Sequence, residues 1–460
     1  MPYTSVLMPS ALIAFFLISP VISDRAESVS SPKPKAIGRD SYLKLAKEAD
    51  ENLHSHVLSK WFPRSIDRKA GGFNQNFNED WSAGPGADRS VVYQARLTWT
   101  SAVAARRYPK ERSLFLEATQ HGVKCLRDVM WDKQFGGFFF VVVPGNPTLT
   151  DKHAYGNSFG MYAAAASYET THDPQALDLA QRAFRWLETH AHDSVNGGYF
   201  EAFTGAGLPV IGPDDPPLAR PFVRRTGKDQ IGTPYGQKTM NTHIHLLEAL
   251  TELHAVWPDP KVTERLQEVH NIIRDKVIHP DGYQYMYFKP NWTPTAKEDS
   301  YGHDIETAYL LVESSAELGH PKDRRDWTLA KSIVDHTLKV AEDRVNGGIF
   351  DSGTPAGEIA KPMGERKVWW VQAEALNSLL LMHQKYGKTS PRYWEAFLRE
   401  WRFILKSQVD HTHGGWYPYL TKEGKPMPGA VKSDGWTESY HQGRALMNVA
   451  DRLRALANAK

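Results

Sequence analysis

Cysteine is almost absent: Cys125 stands alone in 460 residues. No intrachain disulfide can form, so stability must come from packing. An excess of one charge is also missing, since 55 Lys and Arg against 53 Asp and Glu leave a formal net charge of +2. The basic residues are scattered, with no stripe to track a phosphate backbone, and nucleic acid is not an expected partner. Only one long apolar run stands out, Val6 to Ser23, and Pro9 and Pro20 break it. It is short for a membrane span and ends in residues that suit a signal peptidase. Residues 1–23 therefore read as a signal peptide, with export to the periplasm or beyond the cell and no membrane attachment after cleavage. The positive segment that ordinarily precedes such a run is missing, which leaves an uncleaved anchor or a different start codon open. Residues 24–40, rich in Ser, Pro and Lys, read as a disordered linker, and 41–460 as the folded domain.

What recurs is a glycine turn followed by an apolar residue: Gly71-Gly72-Phe73, Gly136-Gly137-Phe138, Gly197-Gly198-Tyr199, Asp281-Gly282-Tyr283, Gly347-Gly348-Ile349 and Gly414-Gly415-Trp416. Successive spacings are 65, 61, 84, 66 and 67, and in five of the six an aspartate (Asp67, Asp132, Asp193, Asp343, Asp410) stands four residues before the first glycine. Such a period marks a repeated supersecondary unit. An amphipathic helix precedes each turn, as in Ala176 to Leu187, and a short aromatic stretch after it reads as brief strands. A more apolar helix follows: Gln94 to Ala105, Ser158 to Tyr168, Thr242 to Val256, His303 to Leu318, Val371 to His383 and His441 to Leu453. Six helix-hairpin-helix units close most simply into an all-α (α/α)6 barrel with the apolar helices inside and short β-hairpins at one end; an open solenoid is the alternative. The long third gap comes from a proline-rich insertion, Gly205 to Lys238, which reads as a lid or rim.

The inner helices begin with polar groups that are costly to bury: Arg96, Asn241 and His245, His303 and Glu306, Gln372 and Glu374, His441 and Arg444. Rotation relates the repeats, so these groups should converge on the mouth of the barrel. Within a helix, 241/245, 303/306 and 441/444 each share a face, whereas His243 points elsewhere. Imidazoles gathered in one polar pocket fit proton transfer at a carbon next to a carbonyl, with Arg96 and the helix N-termini stabilising the oxyanion. Glu306 beside His303 should favour imidazolium against the opposing helix end. Trp369, Trp370, Trp416, Trp436 and Tyr440 should gather at the same mouth, with Trp370 and Trp436 singled out for stacking on a sugar.

Four segments, NTHIHLLEALTELHAVWPD, SYGHDIETAYLLVESS, WWVQAEAL and the terminal W-x-x-x-Y-H-x-x-R, resemble the N-acylglucosamine 2-epimerase superfamily, and within it the cellobiose 2-epimerases. The resemblance implies His303 and His441 as the acid/base pair on opposite faces of C2. It also implies Arg96, His245 and Glu306 in the catalytic set, with Asn241 and Trp436 around the sugar; Trp369, Trp370 and Glu374 join the sugar-binding set by their place at the starts of the inner helices. By the same resemblance no metal and no cofactor is needed, and the partner is a small sugar, acted on by a monomer or weak dimer. One segment departs: Trp436-Thr437-Glu438-Ser439-Tyr440-His441 stands where cellobiose epimerases usually read close to W-K-C-P-Y-H, which puts the disaccharide pocket in doubt. An aldose-ketose isomerase of the mannose isomerase type shares the chemistry up to the return of the proton. An (α/α)6 glycoside hydrolase would need two carboxylates at the mouth, and a sugar-binding protein would need no paired histidines. A metal site has weak support, since the H-x-H at His243 and His245 lacks a neighbouring carboxylate and the 303–306 segment is not HExxH.

Overall fold

The computed structural model describes residues 37–143, 151–212 and 227–459. The signal peptide, most of the linker and the centre of the 205–238 insertion lie outside the described residues. Among those described, the long helices in chain order are α1 Arg39–Asn52, α2 Val91–Arg107, α3 Arg112–Cys125, α4 Ala154–Thr171, α5 Pro174–Trp186, α6 Met240–Val256, α7 Pro260–Ile272, α8 Tyr301–Glu317, α9 Arg324–Val340, α10 Trp369–Tyr386, α11 Arg392–Phe403 and α12 Tyr440–Asn458. Helix α1 starts at Arg39, so the last two residues assigned to the linker belong to the barrel.

Odd-numbered helices form an outer ring and even-numbered ones an inner ring in which each packs on the next, α12 returning to α2. Helix α1 packs on α12, and Trp416 Nε1 donates to Asn52 Oδ1 at 2.9 Å, which ties the last repeat to the first and rules out the open solenoid. The rings differ as their sequences require. Outer helix α11 keeps Arg392, Glu395, Arg399 and Arg402 toward solvent and buries Tyr393, Phe397 and Trp401. Inner helix α4, by contrast, is buried continuously from Ala154 to Ser167, because both of its faces meet other helices.

Each inner helix starts one to four residues earlier than its apolar pattern suggests, because its first turn carries the polar groups of the mouth. Two-residue strands precede four of these helices: β1 Arg89–Ser90, β3 Lys152–His153, β5 Lys238–Thr239 and β7 Lys367–Val368. They pair antiparallel with β2 Val141–Val142, β4 Ala202–Phe203, β6 Tyr287–Phe288 and β8 Tyr419–Leu420. Those partners follow the next glycine turn, so the pairs stitch neighbouring repeats together. Hairpins within a repeat are reduced to single bridges such as Phe203 to Pro209 and Leu420 to Pro426.

The glycine turn itself is a clasp. In the third repeat Gly197 N donates to Asp193 O at 2.8 Å and Asp193 N to Gly198 O at 2.8 Å, while Asp193 Oδ1 caps the amides of Val195 and Asn196. Gly198 adopts φ +72°, and a Cβ there would sit 2.5 Å from Trp292, so glycine is required twice over. The other carboxylate oxygen of each clasp aspartate meets a buried cation at the start of the inner segment: Arg89 on Asp67, Lys152 on Asp132, Lys238 on Asp193, Lys367 on Asp343 and Lys432 on Asp410. The fourth turn lacks the aspartate, and Asp299 stands where the preceding repeats place the cation, bonded to His336 at 2.9 Å.

Candidate active site

The fourth residues of α2, α4, α6 and α10 are Gln94, Asn157, His243 and Gln372. Each accepts the amide N–H of the apolar residue after a glycine turn, at 2.7, 2.9, 3.0 and 2.8 Å. His243 is therefore a structural staple, and burial pulls its pKa down to about 3. Two residues on, the sixth residues of α2, α6, α8 and α10 are Arg96, His245, Glu306 and Glu374. One repeat position thus lays a polar layer across the floor of the mouth. His303 and His441 sit higher, third in α8 and second in α12, so the three histidines of the site do not occupy equivalent positions.

Above this floor lies a cavity of about 590 Å³. Arg96, Asn241, His245, His303, Trp369, Trp370, Trp436 and His441 all line it. Trp370 stands between the two upper histidines, with ring centroids 4.7 Å from His303 and 5.5 Å from His441. Trp436 is 41% exposed at the rim, an unusual state for a tryptophan and one that a flat ligand face would relieve. Trp416, expected here, is instead core at the closure of the ring, where its indole N–H has found Asn52. Trp369 lines the cavity but is 4% exposed and edge-on to Tyr419.

Glu306 and Glu374 are fully buried beneath the cavity rather than on its wall. Arg444 Nη2 donates to Glu306 Oε1 at 2.6 Å and to Glu374 Oε1 at 2.7 Å, and Nη1 donates to Glu248. Glu374 Oε1 in turn lies 2.6 Å from His441 Nδ1, and Glu248 Oε2 3.0 Å from His245 Nδ1. Glu248 was not singled out from the sequence, although it stands three residues after His245 just as Glu306 stands three after His303. His303 Nδ1 meets Ser300 Oγ at 2.6 Å. The expected support of His303 by Glu306 is not a hydrogen bond: the glutamate is taken by Arg444 instead.

Burial, then His245 and Arg96, pulls the His303 pKa down to about 3. Burial, then Arg96 and Arg444, pushes His441 well below its ordinary value, and burial pushes Glu374 well above its own. Both members of the 441/374 pair are driven toward neutrality, first by burial; the arginines add to this at His441, and at Glu374 Arg444 opposes it while Glu306 adds to it. With Nδ1 of each upper histidine tied down, Nε2 is the nitrogen left for the cavity. Of five groups with cation-ligating composition within 4.8 Å among the described residues, two lie at the mouth, His245/His303/Glu306 and Glu306/Glu374/His441, and Arg444 already bonds Glu306 and Glu374.

A closed double helical ring with imidazoles on the wall of one polar, aromatic cavity defines an enzyme of the (α/α)6-barrel class. The model of the N-acylglucosamine 2-epimerase (GlcNAc 2-epimerase) family matches residues 71–209 and 219–445. A cellobiose 2-epimerase of Bacteroides fragilis is 29% identical over 413 residues, covering 88% of this chain and 98% of its own. The structure of cellobiose 2-epimerase from Spirochaeta thermophila superposes with a TM-score of 0.78 at 31% identity, covering 91% of this chain and 98% of its own. A D-mannose isomerase of Thermobifida fusca is more distant, 23% identical over 341 residues, 71% of this chain and 76% of its own. The chain belongs to the N-acylglucosamine 2-epimerase family, and is an enzyme of the epimerase and isomerase class.

Proposed function

We propose that the protein inverts C2 of the reducing-end glucose of a β-1,4-linked disaccharide of the cellobiose type. The reaction runs through ring opening and an enediolate, with His303 and His441 as the acid/base pair. One observation carries the reading: both imidazoles flank Trp370 in one cavity, each with Nδ1 occupied and Nε2 left over. After ring opening, served by His245, one Nε2 takes the proton from C2 and the electron pair passes to O1 as the enediolate forms. Arg96, its charge matched by Glu438, serves the developing oxyanion as a hydrogen-bond donor, its Nε–H having no protein partner. The other imidazole returns a proton to the opposite face of C2, which inverts that carbon. Trp370 and Trp436 offer faces for pyranose C–H groups, and Asn241 carries an amide oxygen with no protein partner.

The similarity to a D-mannose isomerase favours a second reading, in which the proton returns to C1 and a ketose forms. Incubation with cellobiose, lactose, mannose or N-acetylglucosamine in deuterium oxide separates the two when products are read by NMR. Epimerisation gives the 2-epimer labelled at C2, a reducing-end mannose from cellobiose or lactose and glucose from mannose; a ketose labelled at C1 establishes the isomerase, and no exchange with any of the four sinks both. A glycoside hydrolase is disfavoured because Glu306 and Glu374 are buried under one guanidinium and, of the carboxylates on the cavity wall, Asp299 and Asp351 are engaged by His336 and Arg366, which leaves Glu298 without a pair; free glucose from cellobiose would revive it. Export belongs to the proposal as well, and N-terminal sequencing of protein recovered outside the cytoplasm tests it.

A further inference from the structure

The wall of the cavity holds two permanent cations, and each has a carboxylate partner. Arg366, at the rim, lies 3.7 Å from Asp351. Arg96, at the floor, donates from Nη1 to Glu438 Oε1 at 3.0 Å and from Nη2 to Tyr155 Oη at 3.1 Å. Its guanidinium is packed over the rings of Phe159 at 4.4 Å and Tyr440 at 5.0 Å. Glu438 is fully buried, and its second oxygen accepts the Tyr440 amide N–H at the start of α12. Its position is therefore fixed by the backbone that also carries His441, three residues on. Glu298 and Asp299 also line the cavity, while His245, His303 and His441 complete its titratable groups together with Tyr155 and Tyr419.

An unpaired Arg96 would act differently. It already depresses His303 and His441 by its charge, and without Glu438 it would present a full positive charge to whatever enters. A sugar acid would then bind as a salt, held by a charge that a neutral aldose cannot use. With the pair intact, the formal charges of Arg96 and Glu438 sum to zero, and among the described residues of the wall Glu298 is the carboxylate left without a cationic or imidazole partner, which disfavours an anion.

We propose that Glu438 is a specificity-determining residue: by pairing with Arg96 it cancels the positive charge at the cavity floor, so that the site takes a neutral sugar and rejects its carboxylate analogue. The inference rests on the reading of the cavity as a disaccharide site, and binding rather than turnover tests it. Cellobionate and cellobiitol are matched probes, differing at C1 as carboxylate and hydroxymethyl. Calorimetric titration should show the unsubstituted protein binding cellobiitol about tenfold or more tighter than cellobionate, a contrast readable whether or not any epimer is formed. In Glu438→Gln, which keeps an acceptor for the Tyr440 amide, cellobionate should tighten by about tenfold while cellobiitol changes by less than about threefold. A structural role alone would weaken both probes together. That outcome overturns the proposal, as does an unchanged ratio, a preference of the unsubstituted protein for cellobionate, or failure of both probes to bind it. Should Glu438→Gln not fold, the preference of the unsubstituted protein and its loss of contrast at high salt decide the matter. Loss of the disaccharide reading shows separately, as failure of both probes to bind, whereas loss of the Glu438 inference alone shows as both probes binding without the contrast.

Discussion

The glycine clasps and the mouth are both sets of buried polar groups laid down by the same repeat, yet their charges are settled in opposite ways. In a clasp, one aspartate meets one cation and the turn amides: Lys238 Nζ lies 2.7 Å from Asp193 and also donates to Gly197 and Pro290 carbonyls. In the mouth three carboxylates share Arg444, the two upper imidazoles are pushed toward the neutral form, and their Nε2 atoms make no hydrogen bond among the described residues. Settled charges hold a fold; unsettled ones near a cavity are where a reacting molecule supplies what is missing. Substitution in one region should therefore damage stability, and in the other turnover.

The largest effect belongs to the mouth. His303→Asn and His441→Asn should each lower kcat by about 10³-fold, the usual scale for losing a general acid or base, while the urea midpoint moves little. Steady-state rates and unfolding curves on the same samples check both halves. Turnover within about tenfold of the parent would remove the histidine pair from the mechanism. The converse falls on the clasp: Lys238→Met leaves Asp193 buried without its cation and should cost about 3 kcal/mol of stability. If the surviving folded enzyme also loses its kcat, clasp and mouth are not separable in the way the geometry indicates.

Acid should part the two regions as well. His303 in the folded protein lies at about 3, below the ordinary 6.5, so the unfolded chain binds more protons and stability is lost as pH falls from 6.5 toward 3. Asp193 behaves in the depressed-carboxylate sense. Burial works to raise it, but Lys238, Asn196 and two amides overcome this and hold it at about 2, so its contribution is full above 3.8 and lost only as pH drops toward 2. At pH 5 the clasp should be intact while the histidine contribution is already falling. The acid limb of kcat/KM should therefore lie below pH 6.5, and a limb at or above that value contradicts a buried neutral base.

The clasps were also the more legible region. Paired glycines with an aspartate four residues before them form a pattern local in sequence, as turn chemistry is, so ring number and helix order follow from it. Four of the basic residues that complete the clasps, Arg89, Lys152, Lys238 and Lys367, stand two residues before their helices and could have been found by the same alignment of repeats, whereas Lys432 stands eight before α12 and could not. Pairing of the two-residue strands across repeats was not readable, because two residues carry no alternation. Convergence of Arg96, His245, His303 and His441 was legible, but their depths were not: helices that start one to four residues early shift every position by up to a turn. Trp416 shows the limit of composition, since an aromatic beside a glycine turn serves core or mouth according to contacts made by distant Asn52.

The smallest expected effect tests the outer edge of the mouth. Trp436 is 41% exposed, with Phe140 and Tyr155 rings 6.3 and 6.4 Å away, so it has little packing to lose. Trp436→Ala should leave stability within about 0.5 kcal/mol and raise KM for cellobiose by roughly fivefold, about 1 kcal/mol of stacking, with kcat nearly unchanged. The split matters more than the size. A rim contact made equally in ground and transition states moves KM alone, whereas a fall in kcat of similar magnitude would mean that Trp436 helps to hold the reacting carbon between the imidazoles. Repeating the measurement with mannose tells the two sugars apart: a stack on the second ring leaves the monosaccharide indifferent to the substitution, and a stack on the reacting ring penalises both.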